Sequence, residues 1–443
     1  MSVEKELFFD ISDLVYESRK TNHVTGIQRV VFNTAWNLQK TGRKVSFFWR
    51  NDTDRLFYIL DGIDFNHIND LSTFRSIAMS PLSGKPKWSR TRKELLTSKK
   101  FRARLKLIIQ FLKAYFNKQD QALVDTPVII NGITIRRFDT SKASGATLLF
   151  FSIISDFDAY EALISSINSV KVIFFYHDVI PLSIPETCGN GESALFKKYI
   201  PFIYEKGDVL LTSSQFNIKD LSKYVDLNNT NTVVKAIGLP TEVKAGYSNL
   251  DIVDMRPEVR WLKQYKFCLC VGSIGPRKNH YELLLAWQRY FSSDSYSGEV
   301  LVIAGGIVGE MEWMRDFIAR ESISRAVLYV PHASDKELAF LYDNCSFTVY
   351  PSLYEGWGLP VSESIYFRKP VIHYEISSMP EAGFGLGNPI KRRNIKDLEG
   401  EICKLFTDTV YYETCVKKIE KGMGARYTWS DFTDKVLSSI DEL

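Results

Sequence analysis

Glu355 and Glu363 stand in the run EGWGLPVSE with seven residues between them. The segment before it, Cys345 to Tyr350, is short, apolar and β-rich, the pattern of a buried parallel strand. Gly356 and Gly358 let the backbone turn sharply and approach a ligand without a Cβ in the way, and Pro360 suits the first position of a helix. A helix opening beside such a loop offers free N–H groups and the positive end of its dipole, a seat for an anion that needs no metal. Carboxylates beside that seat repel an anion unless they face sugar hydroxyls, where a charged acceptor bridges a vicinal diol. The pattern predicts recognition of a nucleotide sugar, with Glu355 and Glu363 on sugar hydroxyls and Gly356, Trp357, Gly358 and Leu359 as the turn beside the donor. The spacing alone also fits two solvated glutamates, since acids favour a first helical turn.

A second constellation supplies positive charge. In FCLCVGSIGPRKNH, Arg277 and Lys278 follow Gly272 by five and six residues and precede a helix with Leu283, Leu284, Trp287 and Tyr290 on its apolar side. Cations at a helix N-terminus oppose the dipole, so a plain solvated helix start is disfavoured. Held across from an anion seat, the two would clamp a diphosphate and offset negative charge as it leaves. His177 and Asp178 sit just past VIFFY, at the carboxyl edge of a predicted strand where a functional loop would begin, although an isolated histidine there also fits a packed or capping residue. Near the N-terminus, Gly26, Gln28 and Arg29 open a helix on which Val30, Val31, Ala35 and Leu38 recur at helical spacing. Gly26 and Arg29 are therefore candidate contacts to donor phosphates or to an acceptor.

These stretches resemble one family, the retaining glycosyltransferases of family 4, whose E-x7-E signature stands here as EGWGLPVSE. TGIQRV and PRKN resemble a bacterial subgroup of it, and the likeness covers most of the chain apart from residues 51 to 125. It implies that Glu355 faces the donor sugar, that Glu363 binds the ribose and that His177 lies near the donor. The family pattern often has an arginine directly after the glycine matched by Gly272. Here Ser273 occupies that place, Lys278 matches the later lysine, and Arg277 is the candidate to supply the missing charge. The capping-box spacing of Ser334 and Glu337 resembles the family's base-binding turn.

At 443 residues the chain exceeds what one core usually holds, so two domains are expected. Strand-like runs at 45 to 50, 147 to 154, 171 to 180, 208 to 214 and 232 to 238 predict a covered parallel sheet, with VII from 128 opening the alternation of strand and helix. Residues 240 to 265 break that rhythm, and a second sheet follows from residue 267. The expected division is 1 to 240, acceptor-side, and 241 to 425, donor-binding, with the C-terminal helix, 426 to 443, crossing back to the first domain. The six cysteines form no C-x-x-C pair and fit buried thiols rather than zinc ligands.

The net charge of +4 is uneven, because residues 85 to 118 hold twelve Lys or Arg against one acid, Glu94, an excess of +11 that leaves about −7 elsewhere. Within it, Phe101, Leu105, Ile108, Leu112 and Tyr115 mark one face of a helix over 99 to 118 whose other faces are basic. Such a helix can lie on an anionic bilayer, each basic residue contributing about 1 kcal/mol, or pack on its own domain with a solvated basic face. Nucleic-acid binding is not expected, since that calls for aromatics interleaved on a basic face. The N-terminus carries acids where a signal peptide would be basic and then apolar, so the expected location is the cytoplasm, peripherally at the inner face of the plasma membrane.

The fold class expected is α/β: GT-B, two Rossmann-like doubly wound domains facing a central cleft. The resemblance implies a metal-independent transfer of a hexosyl unit, with retention, from a nucleotide-diphosphate sugar to a saccharide or lipid-linked oligosaccharide in cell-surface polysaccharide synthesis. No cofactor is expected beyond the donor. Rival readings are an epimerase or hydrolase on the same architecture, and a membrane-associated nucleotide-sugar-binding scaffold with a degenerate site.

Overall fold

The computed structural model describes residues 6–20, 26–68, 71–79, 127–228, 232–242, 255–307, 312–391, 393–424 and 427–443. The basic segment at 85–118, with its expected membrane-facing helix, lies outside the described residues, as does the 243–254 stretch of the expected linker. Internal contacts divide the chain into two compact units, one of Met1–Tyr176, Phe202–Leu210 and Ser439–Leu443, the other of His177–Pro201 and Leu211–Ser438. The C-terminal helix Trp429–Asp441 ends among the residues of the first unit, where Arg43 Nη2 lies 2.7 Å from Asp441.

Among the described residues, one sheet comprises β1 (Leu7–Asp10), β2 (Val45–Arg50), β3 (Phe57–Asp61), β4 (Val128–Ile130), β5 (Ile133–Arg137), β6 (Thr147–Phe150), β7 (Lys171–Phe175), β8 (Val209–Thr212) and β9 (Val233–Ala236). Their order is β4-β5-β3-β2-β1-β6-β7-β8-β9. β2, β1, β6 and β7 run parallel, and β1 and β6 are buried throughout, as apolar runs in a covered sheet require.

One expectation fails here: β4 does not open a parallel array. β4 and β5 form an antiparallel hairpin, and β3 pairs antiparallel with both β2 and β5. The cause is the Asn131-Gly132 turn, whose φ values of 49° and 79° are both left-handed, the two-residue geometry that twists with its flanking strands. Asn-Gly between apolar runs signals such a hairpin in the sequence itself. β3, in FYILD, went unread because its neighbours show no clear periodicity.

The second sheet is wholly parallel: β10 (Phe267–Val271), β11 (Val300–Ala304), β12 (Val327–Val330), β13 (Phe347–Tyr350), β14 (Val371–Tyr374) and β15 (Asn388–Ile390). Its order, β12-β11-β10-β13-β14-β15, is that of a doubly wound dinucleotide-type sheet, first three strands one way and last three the other. The direction of winding reverses between β10 and β13, the position beyond whose carboxyl ends α/β sheets bind ligands. One face packs Phe267, Leu269, Val302 and Ala304 against Phe340 and Leu341 of the helix Asp335–Asn344. Ser334 and Glu337 close the expected capping box at its start, and Arg256 Nε binds the same glutamate at 2.7 Å. The edge strand β15 was not foreseen, because Asn-Pro-Ile is short and carries a proline that only an edge tolerates.

Candidate functional site

Both charged motifs leave the sheet at its switch point. β10 runs into the loop that carries Ser273, Arg277 and Lys278, and β13 into the loop that carries Glu355. Glu355 is buried, and its carboxylate meets three donors: Arg277 Nη1 lies 2.7 Å from Oε2, Lys278 Nζ 2.7 Å from Oε1, and the Tyr350 hydroxyl donates to Oε1 at 2.9 Å. Lys278 also donates to the Tyr350 hydroxyl. Burial works to raise the Glu355 pKa, but Lys278 and then Arg277 outweigh it and hold the carboxyl down at about 2. Burial lowers the Lys278 pKa while Glu355 pulls it back. Counted by themselves, Lys278, Arg277 and Glu355 carry an excess of one positive charge, which an entering anion would meet at low effective dielectric and which the neighbouring Asp178, acting on Arg277, offsets as it ionises.

The Glu355 loop is held rigidly. Ser378 donates to the carbonyls of Glu355 and Trp357 at 2.7 and 2.8 Å, and the Ser377 hydroxyl accepts from the Glu355 N–H at 3.0 Å. Arg277 further donates to the Tyr354 carbonyl at 2.8 Å, and the Leu353 N–H returns a bond to the Arg277 carbonyl, so the two loops are stitched by backbone as well as by charge. Gly356 faces the turn after β7: a Cβ there would lie 2.5 Å from the His177 carbonyl oxygen and 2.7 Å from Asp178 Cβ. Its own carbonyl accepts from Asn217 Nδ2 at 2.9 Å and from the Ser213 hydroxyl at 2.9 Å, and the same Asn217 amide donates to the His177 carbonyl at 2.8 Å. Gly358 takes φ 105°, a left-handed conformation, and caps the helix Leu359–Tyr366 without any side-chain bond. Pro360 falls at the second helical position rather than the first, where its missing N–H is equally harmless.

The other sequence-derived candidates occupy different places. Glu363 is buried in the first turns of that helix, and Tyr342 donates to its Oε2 at 2.7 Å, so its position comes from the neighbouring helix Asp335–Asn344. Ser273 follows Gly272 at the end of β10, beside the loop after β11, to which the Ile274 N–H bonds through the Gly306 carbonyl at 2.8 Å. Burial pushes the Asp178 carboxyl up to about 6, with the Ile180 N–H and Arg277 lowering it. Within the second unit, His177 and Asp178 thus adjoin the Gly356 turn. Gly26 and Arg29 lie in the first unit, at the start of the helix Gly26–Lys40.

Several positioning residues escaped the sequence reading. Tyr350 counted only as strand, Ser378 stood in an unremarked loop, and Asn217 lay in a segment, LLTSSQFNIKDL, whose polar residues fitted caps. Ser214 is indeed the cap, accepting from the Asn217 N–H at 3.0 Å. Glu381 was also missed. Its carboxylate accepts from the N–H groups of Gln215 and Phe216, both at 2.8 Å.

The chain's two α/β sheets, one of them dinucleotide-type with a cationic cluster at its switch point, are those of the GT-B fold, and the similarities that follow support a glycosyltransferase. Residues 251–422 match the family model described as Glycosyl transferases group 1. The fold is that of HepE from Anabaena, solved in complex with UDP and glucose: the TM-score is 0.58 over 99% of this chain and 100% of that one, at 11% identity. The chain is similar to O-antigen chain mannosyltransferase B of Escherichia coli, 20% identical over 270 residues, which are 61% of this chain and 70% of that protein. It is also similar to the serotype-specific mannosyltransferase WbdA of Escherichia coli, 24% identical over 295 residues, which are 65% of this chain and 35% of WbdA. The match therefore spans about a third of WbdA and over two thirds of mannosyltransferase B.

Proposed function

We propose that this protein is a retaining, metal-independent hexosyltransferase of family 4 that moves a hexosyl unit, mannose by likeness to its relatives, from a nucleoside diphosphate sugar to a saccharide or lipid-linked saccharide during assembly of a cell-surface polysaccharide. The observation that carries this reading is the Glu355 carboxylate gripped by Lys278 and Arg277 at the carboxyl ends of β10 and β13. The excess positive charge of that cluster receives the diphosphate. As phosphoryl oxygens approach, they share Lys278 and Arg277 with Glu355, whose carboxylate then turns its accepting capacity to the sugar hydroxyls. The unblocked start of the helix Leu359–Tyr366 adds N–H groups beside the phosphates, and Glu363, oriented by Tyr342, receives the ribose hydroxyls.

In the transfer step the bond between sugar C1 and phosphate oxygen breaks, and the acceptor oxygen forms its bond to C1 on the same face. A departing phosphate oxygen takes the acceptor proton, while Lys278 and Arg277 stabilise the negative charge that builds on the diphosphate. Those two cations supply the charge that a divalent ion would otherwise bring. His177 and Asp178, next to the Gly356 turn, border the sugar. Gly26 and Arg29 serve the acceptor side, and residues 99–118 attach the protein to an anionic membrane surface from the cytoplasm. Among the described residues, no helix is long and apolar enough to cross a membrane.

The test is direct: incubate the purified protein with each of a panel of nucleoside diphosphate sugars and a saccharide acceptor, in chelator, and assign the product's anomeric configuration by NMR. Retained configuration at an undiminished rate supports the reading. Inversion, a strict metal requirement, or donor turnover that ignores the acceptor overturns it.

A further inference from the structure

The turn that carries Arg277 and Lys278 is fastened by a carboxylate with no part in the transfer step. Glu282 lies in the first turn of the helix His280–Phe291, its side chain 13% exposed, and takes hydrogen bonds from three segments of the second unit. The Asn279 amide donates to its Oε2 at 2.7 Å, the Tyr374 hydroxyl to the same oxygen at 2.7 Å, and Arg393 Nε to Oε1 at 2.6 Å. Burial works to raise its pKa, but the bonds from Arg393, Tyr374 and Asn279 outweigh it and hold the carboxyl below its usual value, so it is charged at neutral pH. An acid in a first helical turn needs no more than the helix dipole and water. Glu282 has a fixed set of partners instead.

Asn279 links that carboxylate to the cations. It follows Lys278 and takes φ 56°, a left-handed conformation in which the chain turns from Pro276–Lys278 into the helix, and asparagine tolerates it better than most residues. Its buried amide has two hydrogens to give, and both are committed: one to Glu282, the other to the Pro351 carbonyl at 3.2 Å, just past β13. The end of the cation turn is thereby fixed to the loop that carries Glu355. Beyond Glu282, Tyr374 is the last residue of β14 and Arg393 follows β15. Between these two in sequence lie Ser377 and Ser378, which hold the Glu355 loop by its backbone. Tyr374, Ser377, Ser378 and Arg393 together brace both the cations and the carboxylate they grip.

We propose that Glu282 is a positioning residue of the donor site: through Asn279 it sets where Arg277 and Lys278 stand, and so how tightly a diphosphate is held, without touching the ligand. This deepens the glycosyltransferase reading and rests on it, since it takes those two cations to receive a diphosphate. A binding group keeps its productive geometry only when the residues behind it are themselves locked by hydrogen bonds, so loosening Glu282 costs affinity while both cations remain in place in the sequence.

The experiment measures the affinity of the full chain for ADP, GDP and UDP by calorimetry, in wild type, Glu282→Gln, Asn279→Gly and the double variant, with melting temperatures alongside. Glu282→Gln keeps the shape and loses the charge that holds Arg393, whereas Asn279→Gly keeps the left-handed turn and loses the amide. Each single variant should weaken the best-bound nucleoside diphosphate about tenfold, and the double variant should lie within about twofold of Asn279→Gly, because its second change acts through a link already cut. A role confined to stability would lower the melting temperature and leave the affinity of the folded protein unchanged. Arg393→Gln, at a side chain 54% exposed, gives the same test should Glu282→Gln fail to fold, and it too should weaken binding. With a wild type that binds, unchanged affinity in Glu282→Gln and Arg393→Gln, or losses that simply multiply in the double variant, overturn the proposal alone. A wild type that binds none of the three nucleotides contradicts the glycosyltransferase reading itself, and this role for Glu282 falls with it.

Discussion

Lys278 and Glu355 stand 77 residues apart in sequence, and Lys278 Nζ lies 2.7 Å from Glu355 Oε1. Each lies in the loop that leaves a strand on one side of the switch point, so their pairing ties the β10 and β13 loops into a single charged floor.

Glu355→Gln keeps the shape and removes the charge, leaving Lys278 and Arg277 beside a neutral amide. Nucleoside diphosphate should bind at least as tightly as to the wild type, since the excess positive charge grows, while turnover falls because the sugar loses its charged acceptor and the cations lose their fixed spacing. A drop of roughly 10²–10³ in kcat is expected, the scale of losing one fixed electrostatic contact to a transition state. Steady-state kinetics beside equilibrium titration separate the two effects. Glu355→Ala should in addition cost about 3 kcal/mol of stability, the lower end for breaking a buried ion pair, because both cations keep some access to water.

Stability should respond to acid in two opposed ways. The Glu355 carboxyl is depressed from 4.5 to about 2, so its contribution is complete above pH 4.5 and drains away as the pH falls toward 2. Asp178 is raised from 3.8 to about 6, so the folded state holds its proton more tightly and this group favours folding increasingly as pH falls from about 6 to 3.8. Urea titrations of wild type, Glu355→Gln and Asp178→Asn across pH 2 to 7 check the signs. The first variant should lose less stability below pH 4.5 than the wild type, and the second should lack the gain between pH 6 and 4.

Gly356→Ala introduces a Cβ where the His177 carbonyl and Asp178 already stand, at 2.5 and 2.7 Å. The turn must shift, at a cost of about 1–3 kcal/mol, and the carbonyl that Asn217 and Ser213 hold will move with it. The melting temperature should fall and transfer should drop more than stability alone explains. A variant indistinguishable from wild type in both would show that the close approach has no bearing on the site.

Ser378→Ala removes the hydroxyl bonded to the Glu355 and Trp357 carbonyls, with a stability loss of about 1–3 kcal/mol for the unpaired buried groups. Because the Glu355 N–H keeps its bond to Ser377, the loop should loosen rather than collapse. A raised KM for the donor with a modest fall in kcat is the kinetic signature to look for.

Much of the second sheet was legible because parallel strands buried on both faces read as continuous apolar runs, as in FCLCV and VLVIA, and because Ser334 and Glu337 carry their cap in their spacing. The charged motifs were legible too, since two glycines, a proline and paired cations mean something by type alone. Their mutual arrangement was not. Sequence reasoning set Arg277 and Lys278 across a gap from Glu355, whereas they grip it, and nothing in local spacing reports a contact over 77 residues. Asn217 and Ser378 were hidden for the same reason: each holds a carbonyl distant in sequence, and polar residues in loops look alike until their partners are known. The antiparallel hairpin is a different kind of miss, since Asn131-Gly132 declares it and the apolar residues around it distracted from the turn.

Under the proposed function, Lys278 with Arg277 receives the diphosphate of a nucleotide sugar at the ends of β10 and β13. Calorimetric titration of a nucleoside diphosphate into wild type and Lys278→Ala tests it, with matched melting temperatures as the control for folding. Saturable binding by the wild type is expected, with a loss of roughly 10²-fold or more in the variant, about 2.8 kcal/mol at the usual tenfold per 1.4 kcal/mol. Equal affinity in the two proteins would contradict it.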